Sequence, residues 1–65
     1  MKLKRYLERE GISTADFASR LGVTYEAVRL YVRGERIPSR KNAAKIRELT
    51  KGSVRERDFI ESSAA

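Results

Sequence analysis

The positively charged side chains of this sequence are concentrated in one stretch, and their number there has a clear chemical meaning. Residues 29–47 contain seven Lys and Arg against a single acid, Glu35, for a net charge of +6. Residues 1–28 sum to +1 and residues 48–65 to −1, so this stretch carries the whole formal charge of the chain. Because like charges repel one another, such a concentration favours a polyanionic partner over a merely solvated surface.

Catalysis and metal binding find little support among the remaining polar residues. The 65 residues include no His and no Cys, which removes the usual general base, a thiolate nucleophile and the commonest metal ligands. The closely spaced carboxylates, Glu8 with Glu10 and Glu56 with Asp58, stand beside basic residues with no sign of a pocket. We therefore expect no enzyme activity, no catalytic residue, no metal, no cofactor and no small-molecule substrate.

The length of the chain is that of one small domain, which we place over residues 1–65 with residues 62–65 as a frayed tail. No apolar run approaches the roughly 18 residues that a membrane span requires, and the start of the chain does not resemble a signal peptide. We expect a cytoplasmic protein without membrane contact.

Turn and capping residues divide the chain into five short helices and leave no segment with the alternation of a strand. Four glycines mark helix ends, and Ser13, Thr24 and Ser39 are N-cap candidates. Ser53 with Glu56 forms a capping-box pattern for the last helix. The prediction is an all-α, compact bundle of five short helices. On the third predicted helix, Val28 and Val32 lie at the centre of the buried face and Tyr31 lies on its flank. The residues expected to face inward on the first four helices are Leu3, Tyr6, Leu7, Phe17, Ala18, Leu21, Val28, Tyr31, Val32, Ala43, Ile46 and Leu49.

The connection between the second and third predicted helices is too short for a long antiparallel pair. Only Gly22 and Val23 separate them, since Thr24 already serves as a cap. Helices joined in this way cross at a steep angle, as in a helix-turn-helix. Gly22 suits the positive φ of such a turn, and the small Ala18 allows the two helices to approach closely.

Residues 14–34, TADFASRLGVTYEAVRLYVRG, resemble the helix-turn-helix of the lambda-repressor and Cro-like family, also called the XRE family. Ala18, Gly22, Val28 and Tyr31 match its signature positions, and residues 34–39 resemble the loop that follows its recognition helix. The resemblance extends from about residue 3 to residue 60. It implies a lambda-repressor-like fold and sequence-specific binding of double-stranded DNA by a transcriptional regulator, a phage-type repressor or a Cro-like protein, located in the cytoplasm and at the nucleoid through its DNA.

In this family the recognition helix, here Thr24–Arg33, enters the major groove. A helical projection places Tyr25, Glu26, Arg29 and Leu30 on or beside its exposed face, as candidates for base contacts. Arg29 could pair with guanine O6 and N7, whereas Glu26 could accept from cytosine N4 or orient Arg29. Leu30 would touch a thymine methyl group or simply be exposed, and Tyr25 would make a similar contact or bind a phosphate.

Phosphate contacts are expected around the turn and in the loop beyond the recognition helix. The N-terminus of the fourth helix adds N–H groups that suit an anion. Thr14 stands where many family members carry Gln, which weakens the phosphate contact made there. We expect Lys45 and Arg47 to add only to the field, and Arg5 and Arg9 to be solvated. The candidate phosphate ligands are Thr14, Thr24, Arg33, Arg36, Ser39, Arg40 and Lys41.

A single small domain offers few base contacts, so we expect a homodimer on a pseudo-palindromic operator, with half-sites separated by about 34 Å. The candidate dimer surface is the fifth helix with Phe59 and Ile60, because little else remains for these side chains to pack against. The alternative is an antitoxin or protein-interaction module that uses the same fold to hold an acidic partner.

Overall fold

The computed structural model describes residues 1–59 as a succession of short helices. They are α1 (Leu3–Glu10), α2 (Thr14–Leu21), α3 (Tyr25–Arg33) and α4 (Arg40–Leu49), followed by α5, which begins at residue 56 and is described as far as residue 59. The predicted all-α fold with five helices is confirmed. Ile60 and the predicted frayed tail, residues 62–65, lie outside the described residues.

Three helices begin at the side-chain caps that the sequence predicts. The hydroxyl oxygens of Ser13, Thr24 and Ser39 each accept a hydrogen bond from the N–H three residues further on, at 3.0, 3.1 and 3.2 Å. Each cap satisfies one of the N–H groups that a helix leaves without an internal partner. The starts of α2, α3 and α4 are therefore fixed by local chemistry.

The turn between α2 and α3 depends on a left-handed residue. Gly22 has a φ of +80°, and the N–H groups of Gly22 and Val23 both donate to the Ala18 carbonyl, at 2.9 and 3.1 Å. A residue with a Cβ would be strained in this conformation by about 1 kcal/mol or more. This turn sets the angle at which α3 leaves α2.

The end of α4 differs from the prediction that Gly52 terminates it. The first left-handed residue is Lys51, with a φ of +53°, and Gly52 follows with +82°. The N–H of Lys51 donates to the Glu48 carbonyl at 3.1 Å, and that of Gly52 donates to the Arg47 carbonyl at 2.8 Å. These two bonds define a Schellman motif in which Lys51 occupies the position that usually holds glycine.

The core lies where all five helices meet, and its centre is sealed from solvent. Phe17, Leu21, Val28, Ile46 and Val54 are each at most 1% exposed. The first three of these side chains come from the helix-turn-helix itself, so the core directly supports α2 and α3. Other buried apolar residues are Leu3, Tyr6, Leu7, Ala18, Tyr31, Ala43 and Phe59.

Two predicted core positions are corrected. Leu49 is exposed, and the next residue, Thr50, is buried in its place. The Thr50 hydroxyl donates to the Ile46 carbonyl at 2.8 Å and accepts from the Val54 N–H at 3.1 Å, so a polar side chain is fully satisfied there. On α3, Val32 is only partly buried, while Tyr31 is buried and so lies deeper than the predicted flank.

The start of α5 also differs from the predicted cap at Ser53. The helix begins at residue 56, and the Asp58 carboxylate accepts from the Arg55 N–H at 2.8 Å. Asp58 also pairs with the Met1 α-ammonium at 3.1 Å. Burial of Asp58 raises its pKa, but the Arg55 N–H, the α-ammonium and nearby Arg57 outweigh that effect and hold the pKa below its ordinary value. A carboxylate at the third position therefore caps α5 by itself.

Phe59 is 7% exposed and packs edge-on against Tyr31, with ring centroids 6.2 Å apart. The reason given for a dimer surface at Phe59, a lack of anything to pack on, is therefore wrong, and Ile60 lies outside the described residues. Removing the chain after Gly52 would take Val54 and Phe59 out of the core, so such a truncation would test folding rather than association.

Candidate nucleic-acid interface

The predicted helix-turn-helix is present as a tightly packed pair. Among the described helices, α2 and α3 pack against each other more extensively than any other two. Ala18 on α2 is 3% exposed, and Val28 on α3 is completely buried. With Ala18 and Val28 buried in the core, the opposite side of α3 is left facing outward.

The outward face of α3 carries the residues predicted to read bases. Tyr25 is 53% exposed, the side chains of Glu26 and Arg29 are 61% and 47% exposed, and Leu30 is half-buried. Glu26 Oε1 and Arg29 Nη1 lie 3.3 Å apart as an ion pair one turn apart on the helix. Glu26 is a candidate either to accept from cytosine N4 or to orient Arg29, and this ion pair fits the second role.

The predicted phosphate ligands with hydroxyl groups lie at helix starts. Thr24 and Ser39 cap α3 and α4 through an oxygen lone pair, which leaves the hydroxyl hydrogen for another acceptor. Thr14 is the first residue of α2 and is half-buried. These hydroxyl groups can donate to an anion without any loss of helix capping.

The predicted basic ligands differ in how they are partnered. Arg33 Nε lies 2.6 Å from Glu35 Oε2. Arg36, Arg40 and Lys41 are exposed, and within residues 1–59 they have no carboxylate at ion-pair distance. These three unpaired cations therefore lie in the loop after α3 and at the start of α4, where the positive end of the helix dipole adds to their field.

A cleft joins the end of α3 to the start of the chain. Arg33 and Arg36 line it together with Lys2 and Lys4, in a volume of about 340 Å³. The sequence indicates no role for Lys2 and Lys4, because residues 1–28 are almost neutral as a whole. Only the folded chain shows that these two lysines lie beside the basic loop.

Two further properties concern other kinds of site. Over residues 1–59, no three acidic side chains are grouped closely enough to hold a metal ion. None of the helices described is long and apolar enough to cross a bilayer, since the longest, α4, has 10 residues.

Comparison with known proteins gives one result that agrees with this geometry. A family model described as helix-turn-helix matches residues 3–56, most of the chain. Neither the curated proteins nor the solved structures contain a match. The matched region includes α1 to α4 and the capped turn between α2 and α3. The chain belongs to the XRE-type helix-turn-helix family, that of the lambda-repressor and Cro-like DNA-binding domains.

Proposed function

We propose that this DNA-binding protein is a sequence-specific transcriptional regulator, of the phage-repressor or Cro-like type, that reads the major groove with α3. The observation that carries the proposal is the composition of its exposed surface. The outward face of α3 presents an oriented guanidinium, and unpaired cations follow directly in the loop beyond it. A major groove about 12 Å wide admits a helix, with phosphates on either side.

Base reading is assigned to the first six residues of α3, from Tyr25 to Leu30. Arg29, held by Glu26, donates to guanine O6 and N7, an arrangement in which two parallel hydrogen bonds discriminate against other bases. Tyr25 and Leu30 offer apolar contact to a thymine methyl group. Since Leu30 is half-buried, its contact would be made by the exposed edge of the side chain alone.

Phosphate contacts are assigned to the residues around this face. They fix the register of the protein on the duplex and carry no sequence information themselves. Their cations release counterions, which makes affinity fall as salt rises. The set is Thr14, Thr24, Arg33, Arg36, Ser39, Arg40 and Lys41.

The size of the chain supports a homodimer on a pseudo-palindromic operator. The chain measures 28 × 21 × 19 Å, and α3 with its nine residues is about 14 Å long. One copy therefore covers less than the roughly 34 Å of a DNA turn. Two copies would double the base contacts and match a two-fold symmetric site.

The decisive experiment is selection of binding sites from a pool of random duplexes, followed by affinity measurements over a range of salt. We expect an inverted-repeat consensus and a plot of log K against log salt with a slope of about −4 to −5 per subunit. Absence of enrichment and a flat salt response would contradict the proposal. That outcome would favour the antitoxin or protein-interaction module instead.

A further inference from the structure

The cleft beside the end of α3 has a composition that the proposed function does not use. It lies between the start of α1, the end of α3 and α5. Its charged lining consists of Lys2, Lys4, Arg33, Arg36 and Asp58. Four cations from two distant parts of the sequence therefore line the same cleft as one acid.

The acid, Asp58, already accepts hydrogen bonds from other groups. Asp58 Oδ2 accepts from the Met1 α-ammonium at 3.1 Å and from the Arg55 N–H at 2.8 Å, and its side chain is only 13% exposed. Lys2, Lys4 and Arg36 have no carboxylate at ion-pair distance among residues 1–59. The lining is thus strongly positive, and the mutual repulsion of these cations is relieved when an anion binds.

The position of the cleft identifies the class of anion. Arg33 and Arg36, assigned above to phosphates, form one wall, so an anion bound here is continuous with the surface that faces DNA. A duplex backbone presents regularly spaced phosphates along such a surface, and Lys binds them as a flexible point charge. We propose that Lys2 and Lys4 bind phosphates of the duplex and extend the interface from the loop after α3 to the start of α1.

This inference rests on the proposed function, and the test separates the two. The variant is Lys2→Gln with Lys4→Gln, and the matched control is Lys45→Gln with Lys51→Gln, which removes the same charge from α4 and its end. Lys4 and Lys45 lie within helices, where Gln and Lys have similar propensities, whereas Lys2 and Lys51 lie just outside α1 and α4, so the stability of both variants is measured. Equal urea midpoints for the two variants verify that stability is not the cause of any difference.

Each lost phosphate contact reduces the salt slope by about 0.9. We expect the Lys2/Lys4 variant to lose about 1 to 2 from that slope and to bind selected and random duplexes more weakly by the same factor. The Lys45/Lys51 control should keep the wild-type slope. Equal slopes for the two variants would overturn the inference while leaving the proposed function intact, whereas a wild-type protein that ignores every duplex would remove both.

A free anion such as inorganic phosphate is the other ligand that would suit the cations of this cleft. Inorganic phosphate is titrated into the free protein while the amide signal of Gly34 is followed by NMR at constant ionic strength. We expect no saturation in the millimolar range. Saturable binding that the Lys2/Lys4 variant loses, together with unchanged duplex binding by that variant, would assign the cleft to a free anion and overturn the proposal.

Discussion

The Glu26–Arg29 pair is the residue-level feature on which specificity depends in the proposed complex. An exposed ion pair is worth about 0–1 kcal/mol, so Arg29 can exchange its carboxylate for a guanine at little cost. Arg36 has no such partner among residues 1–59 and lies in the loop beyond α3. The two arginines should therefore behave differently when each is removed.

We expect Arg29→Ala to cost about 1–3 kcal/mol on the selected site and to relax preference at one base position. Arg36→Ala should weaken binding to all sequences by a similar factor and lower the salt slope by about 1. Binding selections repeated with each variant measure both effects. A changed consensus for Arg36→Ala, or an unchanged one for Arg29→Ala, would show that base and phosphate roles are wrongly assigned.

Lys51 is a second residue whose conformation has a measurable consequence. It holds a left-handed φ of +53° at the end of α4, where a side chain is strained. Glycine removes this strain but gains freedom in the unfolded chain, so Lys51→Gly should raise the free energy of unfolding by about 0.5–1 kcal/mol. Urea denaturation measures the change.

The control for Lys51 is a lysine within the same helix. Lys45 lies inside α4, where Gly is less favourable than other residues by about 1 kcal/mol, so Lys45→Gly should destabilise the protein. The same sign for the two glycine variants would contradict the strain assigned to Lys51.

At the scale of the helices, the sequence predicts best those features that depend on bonds between residues close together in the chain. Ser13, Thr24 and Ser39 cap the helices that they were expected to cap, because each bond spans only three residues. The α4–α5 junction follows a different logic. There Thr50 takes the buried position because its hydroxyl bonds Ile46 and Val54, and hydropathy alone favours Leu49.

The N-cap of α5 has a consequence for acid stability. The folded-state pKa of Asp58 is held below its ordinary value, chiefly by the Arg55 N–H and the α-ammonium acting against burial. A carboxyl with a depressed pKa stabilises the fold above its unfolded-state pKa, about 4, and that contribution disappears as the pH falls through the folded value. The stabilisation is therefore complete at neutral pH.

We expect Asp58→Asn to be less stable than the wild type at pH 7, with the difference shrinking as the pH falls below about 4. Urea denaturation of both proteins between pH 7 and pH 2 measures it. A difference that is constant over this range would mean that the carboxylate charge of Asp58 contributes nothing to the fold.

At the scale of the whole molecule, cations from two parts of the chain lie in one region, and the sequence reveals only part of this distribution. The excess of cations in residues 29–47 is visible in the sequence, and it correctly marks the stretch containing the exposed Arg36, Arg40 and Lys41. The presence of Lys2 and Lys4 in the same region depends on the packing of α1 against α3, a contact between distant parts of the chain. Such contacts leave no local pattern to detect.

The size of the molecule leads to a prediction about spacing. If two copies bind half-sites one turn apart, inserting five base pairs between the half-sites rotates one by about half a turn and places it on the opposite face of the duplex. We expect affinity for this operator to fall to that of an isolated half-site, because contact between copies measuring 28 Å along their longest axis is lost. Titrations on the selected, expanded and single half-site duplexes measure the affinities, and light scattering gives the mass of each complex. Equal affinities for all three, with one chain per duplex, would mean that the protein binds as a monomer and that symmetry contributes nothing to recognition.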